Sequence, residues 1–595
     1  MYFFKTFKLA NGFIKHWHYF ATLVFFITTL SACSAYNPFF SSRKVAYGLL
    51  AGVVTEHPLA TKTARYVLLS GGNAIDATVA ASFVLAVVRP HSTGIGGGGF
   101  LMYHDQIEGK NYAFDFRERA PLKLTSELIE QQSCRKETTT THKNCKLLNP
   151  IRDGHLAVGV PGLVKGLSYV HDRFGRLPFE ALLRPAIYLA ESGFIVYDSL
   201  IDAVKNRQAT LSRFPASRKL LLNEGMPIKK DSLFIQRDLA NTLRRIARYG
   251  AKDFYQGTIA EAITSDMLQN DGVLTLKDLR SFKVINRQPL KYHYKDLTFY
   301  FMPPPSAGGV LLKELLIMTE LLQKRVKLTS LGWNSDGLGE HYISEIMKRA
   351  FFDRANFLGD PANMLVSPNS LTRRVTLQEW TEKLNPIHTV PLSAHLIDHN
   401  IYESPSTTHI SIIDKDGNAV SSTQTINVNF GSGVVVPNTG IILNNQMDDF
   451  SIGTKNSFQL DTSTIVNRIE GGKTPLSSMT PLLVVKDNQV QLAIGAPGGP
   501  RIISSIYLTL YHYLFRDKTL SESIFLPRLH HQWSPDLLYL ESKSQKIINN
   551  LQSKGHQIGK SEFYFGAVEA VERLPDNTIT AVSDYRSDGI AWANN

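Results

Sequence analysis

The residues best placed to do chemistry lie deep inside this 595-residue chain, where Thr407-Thr408-His409 heads an alternating apolar stretch. A threonine hydroxyl is a poor nucleophile unless a base sits beside it. Cutting the chain between Ser406 and Thr407 would supply that base from the same residue, because a freed α-amine titrates near pH ~7.7–8.0 and accepts a proton near neutrality. The β-branch of threonine stiffens χ1 and holds the oxygen in one attack geometry. The chemistry would be acyl transfer, which also needs a group to orient the nucleophile, donors for the oxyanion and a grip on the substrate. Thr425 stands where a returning strand would bring it to Thr407. Gly498 and Gly499 follow a strand-like run and, lacking side chains, can turn two N–H groups toward one developing charge.

The elements that must position these groups are legible from periodicity. His409, Ser411 and Ile413 alternate with Thr408, Ile410 and Ile412; the turn Lys415-Asp416-Gly417-Asn418 then leads into Ala419–Ile426, so a hairpin follows Thr407. Leu482–Val485 with Val490–Ile494, and Val568–Arg573 with Thr578–Val582, read as two further hairpins, with a buried helix over Ile502–Leu514 between them. Upstream, Gly71-Gly72-Asn73 precedes a buried helix over Ala74–Val88 that Pro90 stops, and 3.6-residue periodicity predicts helices over Leu177–Ser192, Leu233–Ala247 and Thr258–Asn270. Pro303–Gly309 reads as a turn opening another helix. From Asp360 to Ser406, five prolines predict a loose, extended run leading to the cut.

Several motifs exclude themselves. Gly94–Gly99 satisfies G-x-G-x-x-G but follows a helix and lacks the acidic partner of a dinucleotide site, and no Lys-Ser/Thr follows to make a P-loop; a tight backbone near the reaction centre is the reading. His530-His531 are neighbours and do not converge on one ion, so neither a metal nor another cofactor is expected. The net charge is +12, with +14 on residues 1–406 and −2 on 407–595, but no basic stripe with interleaved aromatics points to nucleic acid.

At the N-terminus Lys5, Lys8 and Lys15 precede an apolar run, Tyr19–Leu30, too short to span a bilayer and suited to a signal-peptide core. Leu30-Ser31-Ala32-Cys33 has the form of a bacterial lipobox, implying a signal peptide over 1–32, a lipid on Cys33 and membrane attachment in a bacterial envelope; a plain secretory leader cut near Ala35 is the alternative. Cys134 and Cys145 bracket a polar segment and are expected to form a disulfide in an oxidising compartment.

Taken in order, Asp115–Pro121, Pro304–Gly309, Thr407-Thr408-His409, Thr425-Ile426-Asn427, Asn444–Phe450, Pro475–Met479 and Pro497-Gly498-Gly499 resemble the successive motifs of the γ-glutamyltransferase family. The resemblance implies an α+β chain with the four-layer αββα sandwich of N-terminal-nucleophile hydrolases, cut into a large subunit, 33–406, and a small one, 407–595, that stay together as a heterodimer. It implies a γ-glutamyl donor such as glutathione and water, an amino acid or a peptide as acceptor. Thr425 would orient the nucleophile, Gly498 and Gly499 would hold the oxyanion, and Arg117 (with Arg119 the alternative that the motif alignment disfavours) would grip the donor's α-carboxylate by a two-pronged contact that lysine cannot reproduce. Ser477 and Ser478 would add donors to the same carboxylate; Asp449, Gln446 and Asn427 would take the α-ammonium. A β-lactam acylase, a poly-γ-glutamate-processing relative and a non-catalytic surface lipoprotein are the other readings. Pro500, where relatives often carry a small hydroxyl residue, and the loop before Pro475, whose one aromatic is Phe458 where some relatives have a tyrosine lid, depart from the pattern.

Overall fold

The computed structural model describes residues 43–133, 151–326, 337–392, 406–451, 465–559 and 565–594. Cys33, Cys134, Cys145, Phe458 and the leader lie outside them. Among the described residues, fourteen strands form two seven-stranded sheets, each antiparallel throughout. The first runs Val45–Gly48, Ile579–Ser583, Glu569–Arg573, Gln489–Gly495, Leu482–Lys486, Leu297–Phe301, Leu290–Tyr294. The second runs Ile590–Asn594, Ala51–Thr55, Thr408–Ile413, Ala419–Thr425, Gly98–Asp105, Lys110–Asp115, Ile285–Arg287.

Period-2 alternation assigns the faces. Leu101 and Tyr103 point into a core shared with the fully buried helix Ala74–Val88 and its neighbours, whereas Phe100 and Met102 join a core that holds the first sheet and the helices Gly308–Val326, Leu338–Phe357 and Arg501–Phe515. The layers are therefore helices, sheet, sheet, helices, the sandwich the resemblance implies. A polar seam joins the sheets behind the hairpin head. The Ser411 hydroxyl donates to Glu569 O at 3.0 Å, the Ser421 hydroxyl donates to Ile494 O at 2.9 Å, and the His409 ring fills the space that a side chain on Gly495 would need. Among the described residues, five strand pairings join the chain before Ser406 to the chain after it.

Two expectations are corrected. The helix expected to begin at Leu233 begins at Arg237, because Leu233–Phe234 pairs as a short strand with Phe194–Ile195. The supposedly loose run after Asp360 carries the helix Arg374–Lys383, with Leu377 and Trp380 buried. Pro361 and Pro368 each open a short helical turn, where a missing N–H costs nothing, so they start structure here instead of loosening it.

Candidate functional site

Thr408–Ile413 and Ala419–Thr425 pair from Thr408↔Gln424 to Ile413↔Ala419, and this register carries Thr407 and Thr425 to the same end of the sheet. Their hydroxyl oxygens are 3.0 Å apart. Thr425 Oγ1 also accepts from Asn427 N at 2.8 Å, which fixes its position beside Thr407 and leaves both its hydrogen and a second lone pair for the Thr407 hydroxyl. The Thr407 N–H donates to Ser92 O at 3.3 Å, a fixed partner that sequence reading missed. Ser406 is buried with its hydroxyl on Asn427 O. Thr407 has φ +98°, a conformation that a β-branched residue almost never adopts, so the backbone is strained at the Ser406–Thr407 junction.

Gly97 explains the glycine run: a Cβ there would lie 2.2 Å from Thr425 O. Gly498 and Gly499 have φ +123° and +57°, a path that only glycine follows without strain. Neither N–H makes a backbone hydrogen bond among the described residues, while both carbonyls accept from the first turn of Arg501–Phe515. Pro500 is the residue that starts that helix, so the departure at this position leaves the two glycines in their turn.

The residues expected to clamp the donor converge, in a way the sequence did not predict. Arg117 Nη2 lies 2.5 Å from Asp449 Oδ2, so the groups assigned to opposite ends of a zwitterion touch each other. Arg117 further donates through Nε to Pro475 O at 2.8 Å and through Nη2 to Leu476 O at 2.9 Å. Gln446 Nε2 donates to the same Asp449 oxygen at 2.8 Å. That leaves Gln446 Oε1 and Asp449 Oδ1 buried with no hydrogen-bond partner among the described residues: two adjacent acceptors that suit a cation. Asn427 donates Nδ2 to Asn445 O at 3.1 Å. The Ser477 N–H is committed to Pro305 O at 2.9 Å, so only the hydroxyl of Ser477 can serve a ligand as a donor. Ser478 Oγ accepts from Arg354 Nη2 at 3.1 Å.

Sequence reading passed over Asn467, which bridges the two sides of this clamp. Its Nδ2 donates to Asp449 O at 2.8 Å and its Oδ1 accepts from Leu476 N at 3.0 Å. Nothing around Asn467 in the sequence distinguishes it from a loop asparagine. Glu118, next to Arg117, is also buried, and among the described residues neither carboxyl oxygen has a side-chain partner; burial pushes its carboxyl up to about 8, against the pull of Arg117. His409, in the nucleophile strand, is held neutral by burial, its ring falling to about 3, with Nδ1 2.8 Å from Thr423 Oγ1. His530 lies 2.9 Å from Ser504 Oγ and His531 3.0 Å from Asp536, each within its own local bonds.

The family model described as Gamma-glutamyltranspeptidase matches residues 60–593. The chain is 36% identical over 534 residues to the glutathione hydrolase proenzyme of Escherichia coli K12, covering 89% of each. It is 37% identical to the glutathione hydrolase proenzyme of Pseudomonas aeruginosa, covering 89% of this chain and 92% of that one. The Acylase ACY 1 proenzyme of Pseudomonas sp. SE83 is 32% identical, over 93% of this chain and 95% of its own. Among solved structures, cephalosporin acylase from Bacillus halodurans shares the fold, with a TM-score of 0.77 at 24% identity over 94% of this chain and 99% of that one. The γ-glutamyltranspeptidase of Helicobacter pylori matches with a TM-score of 0.51 and 35% identity, over 58% of this chain and 93% of that one.

Proposed function

This chain belongs to the γ-glutamyltranspeptidase family, and from that premise we propose that it is a self-processing glutathione hydrolase and γ-glutamyltransferase. The bond between Ser406 and Thr407 is cut to give subunits 33–406 and 407–595. Thr407 Oγ then attacks the γ-carbonyl of the donor and its proton passes to the residue's own α-amine. The Gly498 and Gly499 N–H groups receive the oxyanion, a contribution of roughly 3–4 kcal/mol for a well-aimed donor. Cysteinylglycine leaves with that proton, and water or an amino acid takes the γ-glutamyl group from the Thr407 ester.

The observation that carries this reading is the hydrogen-bonded pair of Thr407 and Thr425 oxygens at the head of the strand that follows Ser406. The unpartnered Gln446 Oε1 and Asp449 Oδ1 favour a donor with an α-ammonium over an acyl group without one, which would leave both acceptors orphaned. Donor entry has to exchange the Arg117–Asp449 contact for one between Arg117 and the α-carboxylate. A lipid on Cys33 holding the enzyme at a bacterial envelope membrane is part of the proposal; it is supported by the lipobox form of Leu30–Cys33. The test is a denaturing gel with N-terminal sequencing of the smaller band, run beside a glutathione turnover assay. The expected result is two chains, the smaller beginning at Thr407, with turnover; Thr407→Ala gives one chain and no turnover. Two chains from Thr407→Ala would show that another protease makes the cut.

A further inference from the structure

We propose that Arg354 is a positioning residue of the donor pocket. By donating to the Ser478 hydroxyl it turns that hydroxyl's own proton toward the donor's α-carboxylate, and so sets the preference for donors that carry one. The inference rests on the reading above that Ser478 faces the α-carboxylate.

Arg354 belongs to the helix Leu338–Phe357 and is buried, with Nη2 3.1 Å from Ser478 Oγ. A guanidinium has donors and no acceptor, so the direction of this bond is fixed: Arg354 gives and Ser478 receives. The single hydroxyl hydrogen of Ser478 is then left to point elsewhere. The peptide around it does not compete, because the Ser478 carbonyl accepts from Thr480 Oγ1 at 2.7 Å and its N–H makes no backbone bond among the described residues. Ser478 is buried beside the pocket, 7% exposed.

The same stretch of chain grips this loop a second time. Six residues beyond Arg354, Asp360 Oδ2 accepts from Thr474 N at 2.7 Å. Ser477 is fixed between them through Pro305 O and the Ala307 N–H, at 2.9 and 2.7 Å. The loop that bears Ser477 and Ser478 is therefore held at both ends by the Arg354–Asp360 stretch, and the Arg354 end brings a positive charge within one hydroxyl of the pocket. Arg117 would meet the α-carboxylate directly, and Arg354 would act on it through Ser478. A lysine at 354 keeps the charge and one donor, which predicts partial rescue.

The test is a double-mutant cycle read on two anilide donors. One is the γ-glutamyl anilide; the other is the 4-aminobutanoyl anilide, which keeps the ammonium and lacks the α-carboxylate. Arg354→Met should raise KM for the γ-glutamyl donor about tenfold, as expected for loss of a charge-assisted hydrogen bond, with kcat little changed. On the 4-aminobutanoyl donor mutant and wild type should agree within about twofold, and in a Ser478→Ala background adding Arg354→Met should change KM by less than about twofold. Arg354→Lys should recover part of the loss, and it carries the cycle if Arg354→Met does not process into two chains. Equal impairment on both donors, or an undiminished effect without the Ser478 hydroxyl, overturns the inference while leaving the proposed function standing. A wild-type chain that turns over no γ-glutamyl donor removes both.

Discussion

Replacing Thr407 by glycine should make the uncut chain more stable than replacing it by alanine, which reverses the usual order. Both variants lose the nucleophile and the 3.0 Å bond to Thr425 Oγ1, so those losses cancel in the comparison. What remains is the backbone. At φ +98°, alanine keeps the Cβ that makes this conformation costly, about 1–3 kcal/mol, and glycine does not. Against that stands glycine's larger loss of freedom on folding, about 0.5–1 kcal/mol. The difference leaves glycine ahead by up to roughly 2.5 kcal/mol, about 1 kcal/mol at the middle of the ranges. Urea unfolding of the two single-chain variants reads it directly, as a higher midpoint for Thr407→Gly at equal slope. A midpoint for Thr407→Ala equal to or above that of Thr407→Gly would refute the strain. The point bears on mechanism because φ is defined by the preceding carbonyl: once the Ser406–Thr407 bond is gone the torsion no longer exists, and whatever strain it stored has been released into the cut.

Thr425→Val keeps the shape of the side chain but removes the donor to Thr407 and the acceptor for Asn427 N; processing and turnover should each fall at least tenfold, measured by gel and by glutathione assay. Asn467→Ala breaks the bridge between Asp449 and Leu476 and should cost about 2–4 kcal/mol in urea unfolding, with a raised donor KM. Arg117→Lys should raise donor KM more than tenfold, and it should also destabilise the chain, because one ammonium cannot serve Pro475 O, Leu476 O and Asp449 together; unchanged stability would remove Arg117 from the frame. Buried groups bound the stability from both sides of pH. His409 and His530, held at about 3 against 6.5 unfolded, contribute stability that is full above 6.5 and is lost as pH falls toward 3. Glu56 and Glu118, held at about 8 against 4.5 unfolded, contribute stability that is full below 4.5 and is lost as pH rises toward 8. The urea midpoint should thus be highest between about pH 4.5 and 6.5 and fall on either side; a midpoint still rising at pH 8 would contradict these assignments.

The strands around the nucleophile were readable because each one alternates and each turn carries Gly, Asp or Asn: Lys415–Asn418 and Lys486–Asn488 sit where the hairpins turn. Ala74–Val88 was readable as buried because it is apolar on every side. In Gly94–Gly99 the packing of Gly97 on Thr425 O is the close approach expected from the run's composition. What escaped were contacts made across hundreds of residues by side chains that carry no local signature. Asn467 looks like any loop asparagine, and Arg354 like any charged residue on a long helix; only the fold reveals their partners. The meeting of Arg117 with Asp449 escaped for a different reason. A sequence motif gives each residue a ligand, and says nothing about what the two do to each other in the ligand's absence.

The five strand pairings that join the chain before Ser406 to the chain after it have a thermodynamic consequence. In the uncut chain, unfolding is an event within one molecule and its midpoint is indifferent to dilution. In a chain cut as proposed, the same unfolding sets two molecules free and becomes bimolecular, so the midpoint should drop as the enzyme is diluted. Neither piece holds a complete sheet: residues 407–595 supply the hairpin Thr408–Thr425, and residues before it supply the strands on both flanks, Ala51–Thr55 and Gly98–Asp105. Refolding the mature enzyme must therefore solve an encounter problem that the precursor never faces. Processing acts as a ratchet, in which the chain assembles once as a single molecule and afterwards has no comparably easy way back.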